Sequence, residues 1–176
     1  MMVRKAIAGS LLAAGLGVAG AIGSTGTAQA APGAAISFGG VNFGIGDAKA
    51  SSTIGNAALA FNGGNAQANG GIGNVAVAAG NGAVAKICGD CSNFNAAVAI
   101  GDNSKAVVKN GSFNAAVALG NDSKSVVKDG NGNLVIAGPG AKARSNGGNV
   151  KVVANVCSGT KLSVSGSAQV SVGCGH

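Results

Sequence analysis

The amino-acid sequence predicts an all-β fold: a single-domain β-solenoid of the parallel β-helix or β-roll type, in coils of about 18–19 residues, behind a cleavable export signal. Three observations carry this. A block of alternating apolar residues recurs at near-constant spacing along most of the chain. Glycine, asparagine and aspartate fall between the blocks, where a strand must turn. The composition, with 33 glycines, no tryptophan, no tyrosine and only 10% charged residues, lacks the large side chains that fill a conventional globular core. Disordered glycine-rich chains share that composition, but they lack the regular interleaving of β-branched residues seen here.

The first element is the export signal, residues 1–30. Arg4 and Lys5 supply the positive start, Ala6 to Ile22 the apolar run, and Ala28-Gln29-Ala30 the small-x-small pattern before the cut. Glycines within the apolar run weaken it as a spanning helix, and no later segment is long and apolar enough to cross a bilayer. The expected product, residues 31–176, is secreted or held in the cell envelope, with no membrane span. The Ala-Gln-Ala-Ala-Pro junction resembles export signals of high-GC Gram-positive bacteria, and the chain looks like a small secreted actinobacterial-type repeat protein.

The repeat domain follows. Asn95-Ala96-Ala97-Val98-Ala99-Ile100-Gly101 recurs 19 residues on as Asn114-Ala115-Ala116-Val117-Ala118-Leu119-Gly120. Ser104-Lys105-Ala106-Val107-Val108-Lys109 recurs at the same shift as Ser123-Lys124-Ser125-Val126-Val127-Lys128. Looser copies end at Gly46, Asn62, Gly80 and Gly138, in steps of 16 to 21 residues. Each repeat holds two short strands separated by turns such as Gly101-Asp102-Asn103 and Asn110-Gly111-Ser112.

Alternation gives each strand an inside and an outside. On the second strand of each repeat, Ala66/Ala68, Ala83/Ala85, Ala106/Val108, Ser125/Val127 and Ala141/Ala143 are expected inside. Lys49, Lys86, Lys105, Lys109, Lys124, Lys128, Lys142 and Arg144 are then left outside. On the first strand, the larger Leu59/Phe61, Val75/Val77, Val98/Ile100, Val117/Leu119 and Val135/Ala137 are expected inside. That puts Ala97, Ala99, Ala116 and Ala118 outside, in a flat strip continuing to Leu134 and Ile136. Two candidate surfaces result. One is a basic ladder of Lys86, Lys105, Lys109, Lys124 and Lys128, suited to anionic cell-wall or extracellular polymers, glycan or nucleic acid. The other is the alanine strip, a candidate face for self-association into oligomers or fibrils. Ten basic residues remain of the chain's 12 once Arg4 and Lys5 are removed, against five aspartates, which agrees with an anionic partner.

The segment Ala97-Val98-Ala99-Ile100-Gly101-Asp102-Asn103-Ser104-Lys105-Ala106, with its copy from Ala116 to Ser125, resembles the head repeats of trimeric autotransporter adhesins. That resemblance implies a stacked β-roll, trimerisation and an adhesive role. The repeat here is longer, and neither a coiled-coil stalk nor a membrane-anchor barrel follows. A fainter likeness to curli-type amyloid repeats lies in the strand-turn-strand unit.

Four cysteines in an exported chain suggest two disulfides. Cys88 pairs with its near neighbour Cys91 in this reading. Cys157 pairs with Cys174, stapling a C-terminal cap over about 155–176. A redox Cys-x-x-Cys needs a helix behind it, and none is patterned after Cys91. A zinc site needs all four sulfurs together, which coils several layers apart prevent.

Catalytic groups are sparse. His176 is the only histidine and is terminal, so neither a nucleophilic triad nor the inter-coil histidine of left-handed β-helix acyltransferases can be assembled. Asp102 and Asp122 are turn residues first and the only nameable carboxylate pair second. Ice binding would need threonine rows, and only Thr53 and Thr160 follow the signal. The expectation is a structural or interaction protein, neither enzyme nor cofactor or metal carrier. Its work would be to present a regular surface that is adhesive or self-associating.

Overall fold

The computed structural model describes residues 33–88 and 93–174. Residues 1–30, where the export signal is expected, and Cys91 lie outside them. The described residues form strands and turns with no helix, stacked as a β-solenoid of about six coils some 19 residues apart. The strands are β1 (Ala34–Phe38), β2 (Val41–Ile45), β3 (Lys49–Ser52), β4 (Ala57–Phe61), β5 (Asn65–Ala68), β6 (Val75–Ala79), β7 (Val84–Ile87) and β8 (Ala96–Ile100). They continue as β9 (Lys105–Lys109), β10 (Ala115–Leu119), β11 (Lys124–Lys128), β12 (Leu134–Ala137), β13 (Lys142–Asn146), β14 (Lys151–Asn155), β15 (Lys161–Ser165) and β16 (Gln169–Gly173).

Strands alternate between two sheets. The long sheet runs β2-β1-β4-β6-β8-β10-β12-β14-β16, and the short sheet runs β3-β5-β7-β9-β11-β13-β15. From β4 onward every neighbour is parallel and in register. Ala57 pairs with Val75, Val75 with Ala96, Ala96 with Ala115 and Ala115 with Leu134. The sequence repeat is therefore the stacking register itself. At the N-terminal end β1 runs antiparallel to both β2 and β4. Gly39 and Gly40, both at positive φ, close the β1–β2 hairpin in the two-residue loop such turns favour. This hairpin caps the stack, and the repeat pattern gave no sign of it.

The core lies between the sheets and is thin. Its short-sheet side is as expected: Ala66, Ala68, Ala83, Ala85, Ala106, Val108, Ser125, Val127, Ala141 and Ala143 are all buried. Its long-sheet side corrects the expectation. Ala97, Ala99, Ala116 and Ala118 have no solvent exposure, whereas Ile100 is 46% and Leu119 41% exposed. Val98 and Val117 sit outward with them, half-buried by their neighbours in the stack. The parity is inverted from β4 through β10. In β12 the expected sides do hold, because Val135 pairs with Ala116 and is buried, leaving Leu134 and Ile136 outward.

The reason is an asparagine column. Asn56, Asn74, Asn95, Asn114 and Asn133 are buried at the corner leading into the long sheet. Each accepts on Oδ1 from the next one's backbone N–H, at 2.8 Å for Asn56, 2.9 Å for Asn74, and 3.0 Å for Asn95 and Asn114. Their amides donate across the corner to carbonyls such as Gly111 (2.9 Å) and Gly130 (2.8 Å). A buried amide must have its partners, so the asparagine sets the inward parity. Residues two and four further on, the alanines, follow it inside. Gly111 sits at positive φ where an added Cβ would collide with the carbonyl of Gly130, so this corner needs glycine.

At the C-terminal end Cys157 and Cys174 are bonded, Cα to Cα 5.2 Å, as expected. Cys88 is also disulfide-bonded, but the Cys88–Cys91 pairing involves a residue outside those described.

Candidate interaction faces

The outer surface of the short sheet carries the cations. Register places Lys105, Lys124, Lys142 and Lys161 in one column, one per coil, and Lys109 and Lys128 in a second. Lys86 belongs to the row between them, level with Val107, Val126 and Arg144. Coils stacked in register repeat at about 4.8 Å, so the lysines of a column are held at about that spacing. No strand of this sheet contains a carboxylate. Shallow grooves run between the columns, one lined by Lys105, Val107, Lys109, Lys124, Val126, Lys128 and Arg144. All five lysines of the sequence-derived ladder therefore share one face. Lys142, Arg144 and Lys161 extend it toward the C-terminal end.

The opposite outer surface is apolar throughout. Its central row runs Phe43, Ile36, Leu59, Val77, Val98, Val117, Ile136, Ala154 and Val172. The rows beside it hold Phe38, Phe61, Val75, Ile100, Leu119, Leu134, Val152 and Val170 among smaller residues. No outward position within the nine strands carries a polar side chain. The expected alanine strip is thus replaced, on the same sheet, by a strip of larger residues. Leu134 and Ile136 are the two positions that belong to both.

A further feature lies at the corner entering this sheet. Phe94 and Phe113, 54% and 66% exposed, stack with centroids 5.3 Å apart, both at positive φ. Residues without glycine's freedom are strained there. The signal was present in the repeat, since both phenylalanines directly precede a column asparagine 19 residues apart.

The turns stack Asp122 on Asp102, the Asp122 N–H donating to the Asp102 carbonyl (2.9 Å), but each carboxylate takes a different partner. Asp102 receives the Asn81 N–H on its carboxylate (2.9 Å) and gives its own N–H to Asn121 Oδ1 (3.0 Å). Asp122 faces the side-chain amide of Asn103 instead. Among the described residues no three His, Cys, Asp or Glu side chains cluster. No family model matches the chain, and comparison with curated proteins and with solved structures finds no match.

Proposed function

We propose that this chain is an exported interaction scaffold that binds an anionic polysaccharide of the envelope or extracellular space along the outer face of its short sheet. The observation that carries this reading is the in-register stack of lysines on a sheet without a carboxylate. Like charges directly opposite one another on adjacent strands destabilise a sheet, so the stack costs stability until a polyanion neutralises it. A linear anionic chain laid along the solenoid axis meets a cation in each coil from β9 to β15. The leader pattern and the bonded cysteines support a site of action outside the cytoplasm, which favours glycan over nucleic acid as the polymer. A scaffold of this kind needs no catalytic group, metal or cofactor.

The test is binding to immobilised dextran sulfate over a salt series, with a thermal melt in parallel. Affinity should fall steeply with salt as the screening length shrinks from about 10 Å at 0.1 M to about 3 Å at 1 M. The polymer should raise the melting temperature, because it binds only the folded stack. Replacing Lys105, Lys109, Lys124 and Lys128 by Gln should weaken binding by at least about tenfold and leave the fold unchanged. Salt-insensitive binding, or full retention by the quadruple variant, would reduce the lysines to a solubilising surface.

A further inference from the structure

We infer that the apolar outer face of the long sheet is the interface of a face-to-face homodimer, and that the partner seated on it is a second copy of this chain. The inference is separate from polymer binding, which uses the opposite sheet. It begins from an inversion. Valine, isoleucine, leucine and phenylalanine stand outward while alanine fills the core, although burying the larger groups is worth more. Stacking within the face shields only the flanks of these side chains, and their tips remain bare.

Size comes next. Nine strands at about 4.8 Å by strands about 17 Å wide give a face of roughly 700 Å². A pair would bury about 1,400 Å², above the roughly 1,000 Å² a specific interface needs. An exposed patch of this size and purity exceeds what a monomer ordinarily carries. Charge then selects the occupant. The face holds no charge, while the opposite face is strongly basic, so two copies can meet only with their basic sheets turned away from each other. The two faces share one coil spacing, which lets their rows of side chains interleave at the roughly 10 Å separation of packed sheets. Along one edge the turns carry Asp102, Asn103, Asn121 and Asp122, a polar rim of the kind that borders interface cores.

Sedimentation of the purified protein over a concentration series tests this, alone and with neutral phosphatidylcholine vesicles. The protein should sediment as a dimer. Replacing Val98 and Val117 by Lys should weaken dimerisation at least about 100-fold with an unchanged β-spectrum, while Lys105→Gln with Lys124→Gln should leave the dimer intact. If the lysine pair of substitutions prevents folding, Val98→Thr with Val117→Thr keeps the shape and should still weaken the dimer measurably. A monomer at all concentrations overturns the inference. So does a dimer indifferent to a folded Val98/Val117 variant, or a monomer that floats with the vesicles. Failure of the unsubstituted dimer to bind dextran sulfate would count against the polymer reading alone.

Discussion

Lys151 stands where the preceding coils place asparagine. Its backbone N–H donates to Asn133 Oδ1 (3.1 Å), continuing the column. Its side chain turns inward with no solvent exposure, and Nζ donates to the carbonyls of Asn146 (3.0 Å) and Val164 (3.2 Å). Burial disfavours the charged form and lowers its pKa from the usual 10.5. The unfolded chain keeps the ordinary value, so between the folded-state pKa and 10.5 the unfolded state binds more protons. Stability therefore rises with pH through that window and is flat below it. Lys151→Asn should remove this alkaline rise. In the substituted chain the amide would sit level with Asn133 and reach the carbonyl of Gly166, which stacks on Gly148 as Gly148 does on Gly130. Urea midpoints from about pH 7 to 11 check it. Parallel curves for the two proteins would mean that Lys151 ionises in the fold as it does in water.

At the scale of the strand and its corner, the asparagine column decides which side faces in. Asn114 accepts from the backbone N–H of Asn133 (3.0 Å) and its amide (3.1 Å), and donates to Gly130 O (2.8 Å). Asn114→Ala strands a buried donor and a buried acceptor, at about 1–3 kcal/mol each. We expect a loss of about 2–5 kcal/mol in equilibrium unfolding; a loss under about 0.5 kcal/mol would show that water replaces the column. The same residue explains what the sequence could and could not reveal. The period was legible, because glycine and asparagine must recur wherever stacked corners turn. Short-sheet parity was legible too, because Lys105 and Lys109 cannot both point into an alanine core. Long-sheet parity was not, since Ala97 and Val98 are both apolar and alternation alone does not rank them. Asn95 held the answer, but an asparagine opening a strand looks like a turn residue until its partners in the next coils are seen. The outward side of the short-sheet lysines is thus evident from sequence, whereas from β4 through β10 the outward residues of the long sheet lie one position away from those that alternation suggests.

For the whole molecule, stability is organised along one axis. Each coil touches only its neighbours, so the ends carry the risk of fraying and the interior coils stabilise one another. The N-terminal end is closed by the β1–β2 hairpin, which sets a strand across the first parallel coil. Among the described residues the C-terminal end has no such strand. There β14 pairs with β16 and β13 with β15, and the outer edges of β15 and β16 have no further strand of the stack beyond them. What closes this end is the Cys157–Cys174 bond, spanning 17 residues across β15 and β16. A loop of that length is worth about 3 kcal/mol in the chain-entropy account. Because coupling is nearest-neighbour, its removal should act locally. With Cys157→Ala and Cys174→Ala, amide hydrogen exchange should accelerate in Lys161–Ser165 and Gln169–Gly173 while β8 to β11 keep their protection. The global melting temperature should fall less than the local loss implies, since the interior coils outlast the end. A uniform loss of protection from β4 to β16 would mean that the solenoid unfolds as one cooperative unit, with the staple serving the whole stack instead of its last coil.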